Sequence, residues 1–317
     1  MIYNIGGIKI SGDVMYYLLM LAGVMILAVN FSFQKLYQKH VGSSVVKGLF
    51  FNALNGIETT VVFFFVHLGL FGIEGFNFSP FAIICASIMS IFCFLYVILG
   101  FKMMKKGPMT NYTLFLMSGG MIIPYLFGII FLGEFQSLTG WQIALRILGL
   151  VLVVSGVVLS NRTKEKSTNV KAIIFLGSLI FLFNGLVSVA SKVHQLPEFT
   201  EIATATTGFV FIQGLAQAVL CSASLLVIGP KHKEELKAIP KFKALGFSSG
   251  NAIGSGIYVV IQLLCASKLP ASVLFPMITG GTIIFSALAG RLAFREKITK
   301  NTLIGIILCF VGTLLFL

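Results

Sequence analysis

Ten stretches of this chain run apolar for about 20 residues each, the length a helix needs to cross a bilayer, and only short connections separate them. They are Val14–Phe33, Lys47–Phe71, Phe81–Phe101, Asn111–Gly133 and Trp141–Ser160, then Lys171–Ala190, Ala203–Gly229, Leu245–Ala266, Pro270–Leu292 and Asn301–Leu317. An ordinary soluble domain carries about 25% charged residues. This chain carries 10%, with 57% hydrophobic residues and a mean hydropathy of +0.99. The expected fold class is an all-α integral membrane protein of ten transmembrane helices, with no separate soluble domain. The first span lacks a basic start and an Ala-x-Ala-like exit, so it is expected to stay as a true transmembrane helix rather than a cleaved signal.

The cations are not spread evenly over the connections. Lys35, Lys39 and Lys47 follow the first span, and Lys102, Lys105 and Lys106 the third. Arg162, Lys164, Lys166 and Lys171 follow the fifth, Lys231, Lys233, Lys237, Lys241 and Lys243 the seventh, and Arg291, Arg295, Lys297 and Lys300 the ninth. The opposite face holds only Lys9, Lys192 and Lys268, while Arg146 lies within a span. Lys and Arg are retained on the cytoplasmic side, so the net charge of +13 marks orientation. It does not mark nucleic-acid binding, because the basic connections are short and lack interleaved aromatics.

With five spans in each half, the two halves must enter the bilayer in opposite senses. The expected units are 14–160 and 171–317, forming two inverted five-helix repeats. Side chains match in order between them. Asn30 and His40 are ten apart, as are Asn184 and His194; Tyr96 precedes Pro108 by twelve, as Tyr258 precedes Pro270. Ser118-Gly119-Gly120-Met121-Ile122-Ile123 answers Thr279-Gly280-Gly281-Thr282-Ile283-Ile284, and Gly149 and Gly156 answer Gly305 and Gly312. Inverted repeats of this kind place a solute site near the midplane, between the halves.

The run from Leu132-Gly133-Glu134 through Gly149 to Gly156, with its partner from Phe294-Arg295-Glu296-Lys297-Ile298-Thr299 through Gly305 to Gly312, resembles the repeated signature of EamA-like proteins of the drug/metabolite transporter superfamily. Arg295-Glu296 is a mild variant of that pattern. Asn30 resembles the family's polar position in the first span. The resemblance spans essentially the whole chain. It implies a carrier working by alternating access, with four helices of each half around a cavity and the fifth peripheral. The family usually keeps both termini in the cytoplasm, whereas the basic connections here place both outside.

Several spans gather polar residues at helical spacing, which puts each set along one face. The second carries Asn52, Asn55, Glu58 and Thr59; the seventh Thr206, Gln213 and Gln217; the eighth Ser248, Asn251, Ser255, Tyr258 and Gln262. Two readings fit such stripes: a wet cavity that binds a polar solute, or hydrogen bonding between helices. The candidate solute-binding set is Asn30, Asn52, Asn55, Glu58, Tyr96, Asn184, Gln213, Asn251, Ser255, Tyr258 and Gln262. Glu58, well inside its span, is the candidate for proton coupling; its alternative is a structural carboxylate held by Arg146 or neighbouring Asn side chains. Arg146 either pairs with Glu58, meets an anionic solute or snorkels to the surface. The Gly119-Gly120 and Gly280-Gly281 pairs serve as hinges or as close-packing points, with Pro124 and Pro276 one turn away.

Other function classes lack their residues. Cys85, Cys93, Cys221, Cys265 and Cys309 lie in apolar spans without metal-ligand spacing or a Cys-x-x-Cys pair, so no metal or cofactor is expected. Gly254-Ser255-Gly256 is not the motif of an intramembrane serine protease. The expected function is a secondary transporter in the cytoplasmic membrane. Its partners would be the lipid bilayer, a neutral polar solute of the sugar, nucleoside or amino-acid class, and protons through Glu58. A membrane scaffold or a channel is the alternative.

Overall fold

The computed structural model describes residues 2–5, 8–42, 44–104, 109–136, 138–160, 170–197, 204–295 and 299–316. Lys105, Lys106, Pro108, Arg162, Lys164, Lys166, Ala203, Glu296, Lys297, Ile298 and Leu317 lie outside the described residues. The long helices are α1 (Gly12–His40), α2 (Val45–Phe71), α3 (Pro80–Met104), α4 (Met109–Ile130) and α5 (Gly140–Ser160). They continue as α6 (Val170–Val193) and α7 (Thr206–Ile228), then a short α8 (Lys233–Lys237), α9 (Lys241–Ala266), α10 (Ala271–Phe294) and α11 (Lys300–Leu314). The protein is a multi-pass helical integral membrane protein.

Two details depart from expectation. Strands β1 (Ile2–Ile5) and β2 (Ile8–Ser11) form an antiparallel hairpin, with Ile2 opposite Ser11 and Ile5 opposite Ile8. The sequence here has short β-branched runs on either side of Gly6-Gly7, a hairpin signal that an all-helical reading passes over. Among the described residues, nine helices are long and apolar enough to cross a membrane. The tenth expected span is α11, an apolar helix of 15 residues that begins where Thr299 caps it through the Thr302 amide.

The helices pair in a regular scheme. Helix α2 lies along α7, α5 along α11, and α4 against α10. Helix α1 packs on α9 and α10, α6 on α3 and α4, α3 on α7, and α2 on α9. Glycines set several of these distances. A Cβ at Gly56 would stand 2.6 Å from the Ala218 nitrogen, so α2 and α7 meet backbone to backbone. Gly156 and Gly305 face each other's carbonyls across α5 and α11, as do Gly149 and Gly312. The paired glycines of α4 and α10 are packing points as well: Gly119 lies on the Phe181 backbone, Gly120 on Asn184, Gly280 on Thr313 and Gly281 on Val24.

Polar residues turn inward and large apolar ones outward. On α1, Val14, Leu18, Leu21, Met25 and Val29 form one stripe, each about half exposed. Leu303, Ile304, Ile307 and Phe310 do the same on α11. A water-soluble monomer rarely exposes contiguous apolar patches beyond a few hundred Å²; hydrocarbon is the solvent these stripes fit.

Candidate functional site

A cavity of about 480 Å³ opens among α1, α2, α3, α4, α7, α9 and α10. Gln34, Lys35 and Gln38 near the end of α1, Tyr112 and Thr113 at the start of α4, and Ser286 and Gly290 on α10 border its mouth. Those ends adjoin the basic connections. From there the lining runs to mid-depth, to Thr59, Val210, Gln213 and Val259.

Six of the eleven candidates line this cavity: Asn52, Asn55, Tyr96, Gln213, Asn251 and Ser255. Their amides are tied together across helices. Asn55 Nδ2 donates to Asn251 Oδ1 at 2.8 Å, and Asn251 Nδ2 donates to the Asn30 carbonyl at 3.1 Å. Gln217 Nε2 reaches the Asn52 carbonyl at 3.3 Å and Asn55 Oδ1 at 3.5 Å. One chain of amides therefore joins α7, α2, α9 and α1. A buried amide with all its bonds made is rigid, and rigid donors and acceptors are what select a polar solute. Thr59 Oγ1, on the cavity lining, is buried with no partner among the described residues.

The other five candidates lie elsewhere. Glu58 accepts hydrogen bonds from Ser248 and, at 2.8 Å, from Ser249, which ties α2 to α9 beside the cavity rather than in it. Asn30 is buried with Oδ1 against Gly254, and its Nδ2 has no partner among the described residues. Asn184 Nδ2 donates to the Leu116 carbonyl at 2.7 Å, bridging α6 and α4. Tyr258 packs against the apolar cluster that includes Met20, Val24 and Phe275, and Gln262 Nε2 donates to Ser191 Oγ at 3.2 Å. Both lie in the C-terminal half of α9, and Gln262 stands past Val259, the last residue of α9 on the cavity lining.

Arg146 does not reach Glu58. Its Nη1 donates to Ser272 Oγ at 3.3 Å, at the start of α10. Beside it, Glu134 accepts from the Ala271 and Ser272 amides at 2.6 and 2.8 Å. A carboxylate on the free N–H groups of a helix start is favoured by the helix dipole. Glu134, part of the Leu132-Gly133-Glu134 motif, thus caps the start of α10. His67 is buried between Thr207 Oγ1 and the Gly75 carbonyl, both 2.9 Å away, within a cluster of Phe71, Phe76 and Phe78. His194, just past α6, packs its ring tilted against Phe209, centroids 4.2 Å apart, and burial holds its imidazole down to about 4, so it is neutral at physiological pH. His40 accompanies the Leu36 carbonyl at the opposite end.

Sequence reasoning missed the mouth: Gln34, Gln38, Tyr112 and Thr113. The signal was present, since Gln34 and Gln38 follow Asn30 at intervals of four.

Solved structures share this fold. One, described only as the crystal structure of a protein, superposes with a TM-score of 0.69 at 14% identity, over 96% of this chain and 95% of that one. At that identity the likeness concerns the fold alone. No family model matches the chain, and a search of curated proteins likewise finds no match.

Proposed function

We propose that this chain is a secondary carrier of the EamA-like kind, two inverted five-helix halves that pass a small polar solute across the cytoplasmic membrane by alternating access. Helix pairing supports the inverted halves. Exchanging each helix of 14–160 for its counterpart in 171–317 turns α1–α9 into α6–α3, α4–α6 into α10–α1, and α3–α7 into α9–α2. The pairs α2–α7, α4–α10 and α5–α11 map onto themselves. The observation that carries the transport reading is the cavity: amide-lined, built from helices of both halves, and bordered at its mouth by one membrane face only. The basic connections assign that face to the cytoplasm and both chain ends to the outside.

The lining offers amides, hydroxyls and phenols, with Lys35 near the mouth. Such groups meet a neutral solute by paired donors and acceptors, as in a sugar, a nucleoside or an amino acid. The test is counterflow in proteoliposomes with a panel of labelled solutes from these classes. A carrier gives saturable uptake that rises when the same solute is preloaded. Flux linear in concentration and indifferent to preloading would make the protein a channel. No flux for any class would leave a scaffold.

Proton coupling in this reading runs through Glu58, the one carboxylate in the middle of a long helix among the described residues. Sliding α2 against α9 would take its carboxyl from the hydroxyls of Ser248 and Ser249. Glu58→Gln is expected to keep counterflow, which needs no ion gradient, and to lose uptake driven by a pH gradient. Loss of both, with a lower unfolding temperature, would reduce Glu58 to a tie between helices.

A further inference from the structure

We propose that Lys192 is the latch that holds the face opposite the cavity mouth closed, and that Gln38 is its weaker counterpart at the mouth. Lys192 is only 4% exposed, and its Nζ donates to the Ala266 and Leu269 carbonyls, both at 2.7 Å. Ala266 ends α9, where the last carbonyls lack helical partners and carry the negative end of the dipole. Leu269 lies in the connection to α10, and a desolvated ammonium on these two carbonyls makes charge-assisted bonds, stronger than those between neutral groups. Beside it, Gln262 bonds Ser191, so the ends of α6 and α9 are joined twice.

The other half carries the same position. Lys192 lies eight residues after Asn184; eight residues after Asn30 stands Gln38, on the cavity lining. Tyr258 and Tyr96 show the same contrast, one packed against α1 and α10, the other lining the open cavity. By this register Gln38 would meet the end of α3, the counterpart of the end of α9, when the mouth closes. A neutral amide makes the poorer latch. The unequal pair therefore biases the protein toward the conformation open at the basic face.

The inference rests on the carrier reading for its two conformations, and its test needs no solute. Amide hydrogen exchange on the purified full-length protein reads both ends at once. In wild type, the segment Leu263–Leu269 is expected to exchange slowly and the segment Gln34–Gln38 faster. Lys192→Gln equalises the two latches: exchange at Leu263–Leu269 should rise about tenfold, while Gln34–Gln38 slows in step. Loosening of the first segment with no slowing of the second would make Lys192 a local brace and overturn the proposal, as would no change in either. Should Lys192→Gln fail to fold, Gln38→Lys decides alone: it should slow exchange at the mouth and speed it at Leu263–Leu269, and an unchanged pattern refutes the latch. Reciprocal exchange together with failed counterflow would instead count against the carrier reading while leaving the latch standing.

Discussion

Gly119→Val is expected to cost about 3 kcal/mol or more of stability, which would appear as a collapse of monodisperse yield and of the unfolding temperature in detergent. A β-carbon at this position collides with the Phe181 carbonyl oxygen and would stand 2.6 Å from the Phe181 Cα. Backbone cannot step aside as a flexible side chain can, so the strain falls at the upper end of what overpacking a core costs. Relief would require α4 to leave α6, and that contact also carries the Asn184 bond to the Leu116 carbonyl. Gly246→Ala is the contrast. Among the described residues, nothing beyond its own stretch of helix lies within 4 Å of a Cβ there, and the residue sits inside α9. Alanine should be neutral, or stabilising by about 0.5–1 kcal/mol through helix propensity. Equal loss from both variants would mean that the α4–α6 approach is not a tight constraint.

The second large effect concerns the amide chain. Asn55→Leu removes the donor to Asn251 Oδ1 and the acceptor for Gln217 Nε2 in one change. Asn55 is buried, so its former partners lose hydrogen bonds rather than trading them for bulk water. Orphaning those groups should lower the unfolding temperature, and losing the Asn55 amide as a solute contact, about 1–3 kcal/mol, should raise the half-saturating concentration in counterflow by roughly tenfold to a hundredfold. Ser286→Ala, at the mouth, should change it less than about twofold, because Ser286 Oγ already bonds the Ile283 carbonyl of its own helix. A small effect at Asn55 with a large one at Ser286 would move the solute from mid-depth to the mouth.

Much of this was legible in the sequence, for identifiable reasons. A span is written in some 20 consecutive residues, so the long helices could be read directly. Helical periodicity also found Asn52, Asn55, Gln213, Asn251 and Ser255, because one face of a helix meets one environment. Glu58 shows the limit of that method. At about 100° per residue it lies roughly 60° from Asn55 and 100° from Thr59, enough to turn it from the cavity to the serines of α9. Tyr258 and Gln262 share the angular stripe of Asn251 and Ser255, yet one packs on an apolar cluster and the other bonds Ser191; periodicity says which residues share a face, not which neighbour that face meets along its length. The Glu134 cap was out of reach for another reason. Its partners, the Ala271 and Ser272 amides, are more than a hundred residues away, and nothing local signals which helix start a loop carboxylate will find.

Where α5 and α11 cross, two pairs of glycines bring backbone against backbone, leaving no gap for lipid, water or cargo. Whatever the remaining helices do, these two have to travel as one rigid mast. If the protein is the carrier proposed above, a covalent staple across this seam is the modification its cycle should notice least.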